Sequence, residues 1–299
     1  TDAGRRAVRE LVAAAPSTRR PRLVYVLDAA IPGAAAARNA GIERARGDVL
    51  LFCDDDVVPE PAVIERLLAH LAATPGLDGV APVITNYPAP SAARRWHQAL
   101  FCRGPFRDER QPVYWFWQRH AAAARCVPVR MFTGAMMAFR RAALDGVRYD
   151  PRYRGPSTGE DIDLCWSLVA RGRRLAIALD ARIVHNRAPR PASRPEATMI
   201  ASWGYLYRKH LRRTPATRAA FAWYVAGVVI GALAQVARER NLAPLRSAFA
   251  GIRAVLRDFE GVGFLAPVRE ERPAARGGGS SRPHGTVARR RRELDQRIR

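Results

Sequence analysis

Five consecutive apolar residues, Val49 to Cys53, run straight into Asp54, Asp55 and Asp56. Such a run reads as a strand buried on both faces, which fixes where its acidic tip must point. Three carboxylates at one strand end repel one another unless positive charge sits among them. The carboxyl ends of strands are also where open α/β sheets bind ligands. A hard divalent cation that itself holds phosphate oxygens meets both conditions. The competing reading is a solvated loop, in which Asp56 helps to start a helix announced by Pro59 and Pro61.

The surrounding pattern argues for an α/β fold. Helices are expected at Arg5–Ala15, at Ala34–Arg46 with Gly47 closing it, and at about Ala62–Ala73. Strands are expected at Leu23–Leu27, Val49–Cys53 and Gly79–Ile84. Strand and helix alternating at short intervals predict a mostly parallel sheet covered by helices. From Asn86 to Arg125 the alternation breaks, and Trp96, Trp115, Phe116 and Trp117 stand among Arg, His and Pro as in an irregular wall around a cleft. Strands follow at Val127–Phe132, Gly134–Phe139 and Leu175–His185, with a helix at Glu160–Arg171. Three more helical stretches lie near Ala197–Arg212, Ala219–Ala237 and Pro244–Phe259.

The net charge of +23 is carried almost wholly by arginine, Lys209 being the only lysine. That field suits anionic membranes and phosphorylated substrates as well as nucleic acid, so it selects no partner alone. Cys53, Cys102, Cys126 and Cys165 form no metal-spaced pair. Cys53 and Cys165 read as packed thiols, and a reducing cytosol is the expected setting, with no signal peptide at Thr1–Arg6.

Two further elements bear on chemistry. Gly159 precedes Glu160 and Asp161 at a helix start, where the glycine gives backbone freedom and the helix N-terminus favours negative charge. Asp161 is placed there as a general base would be, although acids in a first helical turn also occur as simple capping groups. His185 ends a strand, as the aspartate triplet does. An imidazole added to two carboxylates makes a plausible Mn²⁺ donor set.

Taken together, Gly33–Pro59, Thr133–Leu144, Gly159–Gly172 and Ile183–His185 resemble family 2 inverting glycosyltransferases. Four motifs occur in the family's order across about Thr1 to His210. The resemblance implies a GT-A fold, a nucleotide-sugar donor (UDP-, GDP- or dTDP-linked), Mn²⁺ or Mg²⁺, and a hydroxyl acceptor on a glycan or lipid-linked sugar, as in cell-envelope polysaccharide synthesis. It places Arg38 and Asn39 near the nucleotide, and Asp54 and Asp55 against ribose and diphosphate. The metal set becomes Asp54, Asp56 and His185. The ED pair, Glu160 and Asp161, supplies the catalytic base at Asp161, and Thr133 with Gly134 forms the turn beside donor sugar and acceptor. Family members open with a strand, a helix and a second strand ending in a DDGSTD-like motif. Thr1-Asp2 looks like the tail of that motif, so the first few dozen residues of the pattern are expected to be missing here.

The expected organisation is a GT-A catalytic domain over 1–195, a helical region over 196–270 and a disordered Arg-rich tail over 271–299. Ala219 to Ala237 holds nineteen uncharged residues flanked by Arg218 and Arg238, just long enough to span a bilayer core. A helix packed beneath the catalytic domain is the preferred reading, with peripheral contact at the cytoplasmic face of the membrane. No specific nucleic-acid partner is expected. The competing functions are a HAD-type phosphohydrolase using Asp54 and Asp56, and a non-catalytic basic scaffold binding anionic lipid or nucleic acid.

Overall fold

A computed structural model describes residues 33–153, 158–186 and 195–257, together with a few isolated positions before 33. The elements are α1 (Ala34–Arg44), β1 (Val49–Cys53), β2 (Val57–Pro59), α2 (Val63–Ala73), β3 (Leu77–Ile84), α3 (Ala92–Phe101), α4 (Arg110–Trp115), α5 (Trp117–Ala123), β4 (Cys126–Val129), β5 (Met136–Arg140), α6 (Glu160–Val169), β6 (Arg174–His185), α7 (Pro195–His210), α8 (Pro215–Glu239) and α9 (Ala243–Leu256). The expected Leu23–Leu27 strand and the 271–299 tail lie largely or wholly outside the described residues.

The mixed sheet flanked by helices is as expected, but its strand directions are not. The order is β1-β5-β3-β6-β2, with β4 on the same edge of β6 as β2. Only β3 and β6 run parallel; the other pairings among the described residues are antiparallel. The reason lies in the stretch after Asn86. From there β4 returns antiparallel to β6, and β5 returns antiparallel to both β1 and β3. That stretch is not an irregular wall either: α3, α4 and α5 form from it.

The strand buried throughout is β3, all eight of whose residues are buried. By contrast, β1 pairs only with β5 among the described residues, and Leu51 is 38 % exposed while Cys53 is also exposed. The expectation that β1 is covered on both faces, and with it the reading of Cys53 as a packed thiol, is therefore corrected. Cys165 is fully buried, as expected.

Asp56 starts no helix. Val57 to Pro59 instead form β2, which pairs with His185, Val184 and Ile183. The next helix begins at Val63, after Ala62 in the left-handed region at φ 63°. Packing against β6 outweighs the local helix-start signal and brings the triplet beside the end of β6.

The helix over Ala219–Ala237 packs on the domain along one side only, with Tyr224 against Phe106 and Trp203. In α8 only Tyr224, Gly227, Val228 and Ala232 are buried. Among the described residues, this one helix is long and apolar enough to cross a membrane by length and composition alone.

Candidate active site

The site is assembled around Arg38, the fifth residue of α1. Its Nη2 donates to Asp54 Oδ1 at 2.9 Å and to the carbonyl of Gly134 at 3.2 Å. Its Nη1 donates to Glu160 Oε1 at 3.1 Å. One guanidinium thus ties together three segments, the farthest of them 122 positions from Arg38 in the sequence. Gly134 eases this approach, because a Cβ there would stand 3.0 Å from Arg38 Nη2 and push the guanidinium aside. The guanidinium also lies over the Tyr149 ring, 5.5 Å from its centroid.

Burial raises the pKa of Asp54, Arg38 opposes that rise, and Asp56 adds to it; the net shift is upward. Glu160 is more strongly affected. Burial first and the neighbouring Asp161 second push it up to about 7, against the pull of Arg38.

On one side of this hub lies a candidate metal corner. Asp54, Asp56 and His185 offer ligand atoms all within 4.8 Å of one another. His185 Nε2 stands 3.1 Å from Asp56 Oδ1. Asp56 Oδ1 and His185 Nδ1 are both buried without a hydrogen-bond partner. Hard carboxylate oxygens with one imidazole, left short of partners, fit a divalent cation such as Mn²⁺. Asn86 fixes the end of β6 here by exchanging two hydrogen bonds with the backbone of His185.

On the other side is Asp161. Its Oδ2 accepts from the Gly134 backbone N–H at 2.9 Å and from Arg110 Nη1 at 3.3 Å, and its Oδ1 accepts from the Ile162 N–H at 2.8 Å. Gly159 precedes the helix at φ 103°, a left-handed conformation that lets the chain turn sharply into α6. Arg110 is itself held by Asp108, whose two oxygens accept from Nε and Nη2 at 2.9 Å each. Arg110 and Asp108 are not singled out by the sequence, because they sit in the stretch where the alternation breaks. The cluster Asp108, Glu109, Arg110 was the available signal.

The remaining candidates are placed as follows. Asn39 faces away from the hub, its amide exchanging hydrogen bonds of 2.8 and 2.9 Å with the Tyr149 backbone. Thr133 hydrogen-bonds the Tyr114 hydroxyl. Asp55 lies exposed on the turn between β1 and β2.

Beneath α6, Asp163 is fully buried and accepts from Lys209 Nζ and His210 Nε2, both at 2.7 Å. Lys209 also reaches Asp150 Oδ2 at 2.8 Å. Burial alone would raise Asp150, but its hydrogen bonds from Lys209 and Tyr205 outweigh that and hold it low. The single lysine of the chain therefore anchors α7 to the helix that carries Glu160 and Asp161.

Comparison with known proteins agrees with these motifs. Residues 1–148 match the model of the glycosyl transferase family 2. The pre-mycofactocin glycosyltransferase of Mycobacterium tuberculosis is 30% identical over 154 residues, covering 52% of this chain and 30% of that protein. The matched segment thus spans under a third of the relative's length. Among solved structures, a mannosyltransferase from Pyrobaculum calidifontis in complex with GDP-Man and Mn²⁺ is 16% identical. It covers 86% of this chain and 63% of its own, with a TM-score of 0.49. Glucosyl-3-phosphoglycerate synthase from Mycobacterium tuberculosis, bound to UDP, is 18% identical over 61% of this chain and 57% of its own, with a TM-score of 0.38. The family match runs through Arg38, the aspartate triplet and Gly134, and residues 1–148 belong to glycosyl transferase family 2.

Proposed function

We propose that the chain carries the catalytic site of an inverting glycosyltransferase, which moves a sugar from a nucleotide-sugar donor to a hydroxyl of a glycan or lipid-linked acceptor. The observation that carries this reading is the Arg38 hub. Through it the aspartate triplet, the Thr133–Gly134 turn and the Glu160–Asp161 pair converge on one point. A GDP-, UDP- or dTDP-sugar is the donor class, and the acceptor side lies toward Asp161.

In this mechanism Asp161 takes the proton from the acceptor hydroxyl as its oxygen attacks the anomeric carbon. The leaving nucleoside diphosphate departs from the opposite face, and one displacement inverts the configuration. The Gly134 N–H and Arg110 hold the Asp161 carboxylate in one orientation. Arg38 keeps Asp54 and Glu160 at fixed positions beside the donor. Asp54, Asp56 and His185 would hold Mn²⁺ or Mg²⁺, whose charge offsets that of the departing diphosphate. Asp55, Asn39 and Thr133 complete the donor side. Of these, Asn39 acts through the Tyr149 backbone it clamps.

We place the enzyme at the cytoplasmic face of a membrane, where 1–195 forms the catalytic domain and 196–270 the helical region. The phosphohydrolase alternative needs a free Asp54, whereas here that carboxylate is engaged by Arg38. The deciding experiment is calorimetric titration of UDP, GDP and dTDP with Mn²⁺ and then with EDTA. Metal-dependent binding of one nucleotide supports the reading and names the donor class. A phosphoenzyme trapped at Asp54 would overturn it.

A further inference from the structure

A cavity of about 520 Å³ opens between α3 and α4, walled by Arg95, Arg103, Arg107, Trp115 and Phe116, with Asp108 also lining it. Asp108 already receives two hydrogen bonds from Arg110, so the three other guanidiniums set the sign of the cavity. The same Arg110 touches Asp161. The cavity is therefore one side chain, that of Arg110, away from the proposed base.

A second observation adjoins the first. The Leu100 carbonyl accepts from Arg103 Nε at 3.1 Å and from Trp223 Nε1 at 2.8 Å, so the cavity wall and α8 meet at one atom. From there an uninterrupted apolar surface runs along α8. Between Ala219 and Ala237 every exposed residue is apolar, including Trp223, Ile230 and Leu233, which are 46 to 48% exposed. Trp96, at 77% exposure, and Leu100 extend this surface on α3. A helix face meant for water carries charges instead, and an apolar stretch of this length marks a surface that is covered in use.

We propose that cavity and stripe together form the acceptor site, and that the acceptor is an amphiphilic lipid bearing a phosphate. Its phosphate lies among Arg95, Arg103 and Arg107, and its hydrocarbon lies along Trp96, Leu100, Trp223, Ile230 and Leu233. Arginine forks match phosphate oxygens in geometry and charge. A purely polar glycan would use the arginines and leave the stripe uncovered. This assignment rests on the glycosyltransferase reading for the word acceptor, but the lipid site can be tested apart from it.

The test measures binding of the intact chain to three probes: phosphatidylcholine vesicles with and without phosphatidic acid, water-soluble dihexanoyl phosphatidic acid, and inorganic phosphate. The variant Arg103→Gln/Arg107→Gln is expected to weaken binding of both phosphatidic acid probes by about tenfold or more. Ile230→Asp/Leu233→Asp is expected to abolish vesicle binding and leave the short-chain lipid nearly unaffected. Arg44→Gln/Arg171→Gln, an equal loss of charge far from the cavity, is expected to change neither. The assignment is overturned if that control loses as much as the cavity variant, because the general positive field would then explain the binding. It is equally overturned if phosphatidic acid adds nothing to vesicle binding, or if inorganic phosphate displaces the short-chain lipid at equal concentration. Nucleotide titration with Mn²⁺ on each variant separates the two readings. Donor binding without lipid binding sinks this inference alone, whereas lipid binding without donor binding sinks the glycosyltransferase reading and leaves the lipid site standing.

Discussion

Arg110 Nη1 lies 3.3 Å from Oδ2 of Asp161, the carboxylate assigned as general base. Because Asp108 holds the rest of that guanidinium, Arg110 fixes where this carboxylate points and is, in the proposed mechanism, a positioning residue. Arg110→Lys keeps a charge but loses the fork. We expect kcat to fall by about 10- to 100-fold, with the donor KM within about twofold of wild type. Asp161→Asn should instead remove transfer almost completely, by about a hundredfold or more, while nucleotide binding persists. Steady-state kinetics on both variants check this. Near-normal transfer by Asp161→Asn would show that the base is another group.

Glu160 supplies a pH signature of its own. The native state holds this proton up to about pH 7, whereas the ordinary carboxyl value is 4.5. Between those values the folded protein binds a proton that the unfolded chain has released. Glu160 therefore makes stability fall as pH rises through that window. Glu160→Gln carries no such proton. In EDTA, its Tm relative to wild type should climb between about pH 5 and pH 8, by the equivalent of roughly 3 kcal/mol at most. Thermal melts across that range decide it. A gap independent of pH would mean that Glu160 titrates normally.

The chemistry of this site was more legible in the sequence than its supports. Asp56, Asp161 and His185 stand out as candidates because each sits near the end of an element with a strong local pattern, and β6 runs within a residue of its expected bounds. The hub was only half visible. Arg38 could be assigned by resemblance, but its contact with Glu160 joins residues 122 apart, which no local pattern encodes. Strand direction was misread for a similar reason. Whether β5 runs with or against β1 depends on how the chain returns from α5, not on the residues of β5 itself. The exposure of Leu51 and Cys53 was hidden too, since an apolar run does not tell whether the next strand is there to cover it.

Asp163 tests how much the C-terminal helices matter to the catalytic helix. It is completely buried, and its two oxygens serve Lys209 and His210 at 2.7 Å. Removing one member of a buried ion pair costs more than the pair contributes, because the partner charge is stranded. Asp163→Ala should therefore cost about 3 kcal/mol or more, a fall in Tm on the order of 10 °C for a protein of this size. Asp163→Asn keeps the hydrogen-bonding shape and should cost less. If calorimetry finds both variants as stable as wild type, α7 is not anchored through this network.

The metal corner can be tested without any turnover. A cation that binds only the folded state stabilises it by about 2.7 kcal/mol at a hundredfold excess over its Kd. For a domain of this size that is roughly 5–10 °C in Tm. Mn²⁺ should produce such a rise in the wild type, and EDTA should reverse it. Asp56→Ala removes a carboxylate oxygen that makes no hydrogen bond and stands 3.1 Å from His185 Nε2, so it should cost little stability beyond that ion pair while erasing the Mn²⁺ response. His185→Ala should erase it as well, with some added loss from the cavity left behind, because that side chain is only 10% exposed. A response retained in Asp56→Ala but lost in a variant of another acidic residue would move the metal site elsewhere. Loss in both Asp56 and His185 variants, with the Arg38–Glu160 pair intact, would locate the cation on the β1–β6 side of the hub, across Arg38 from the base.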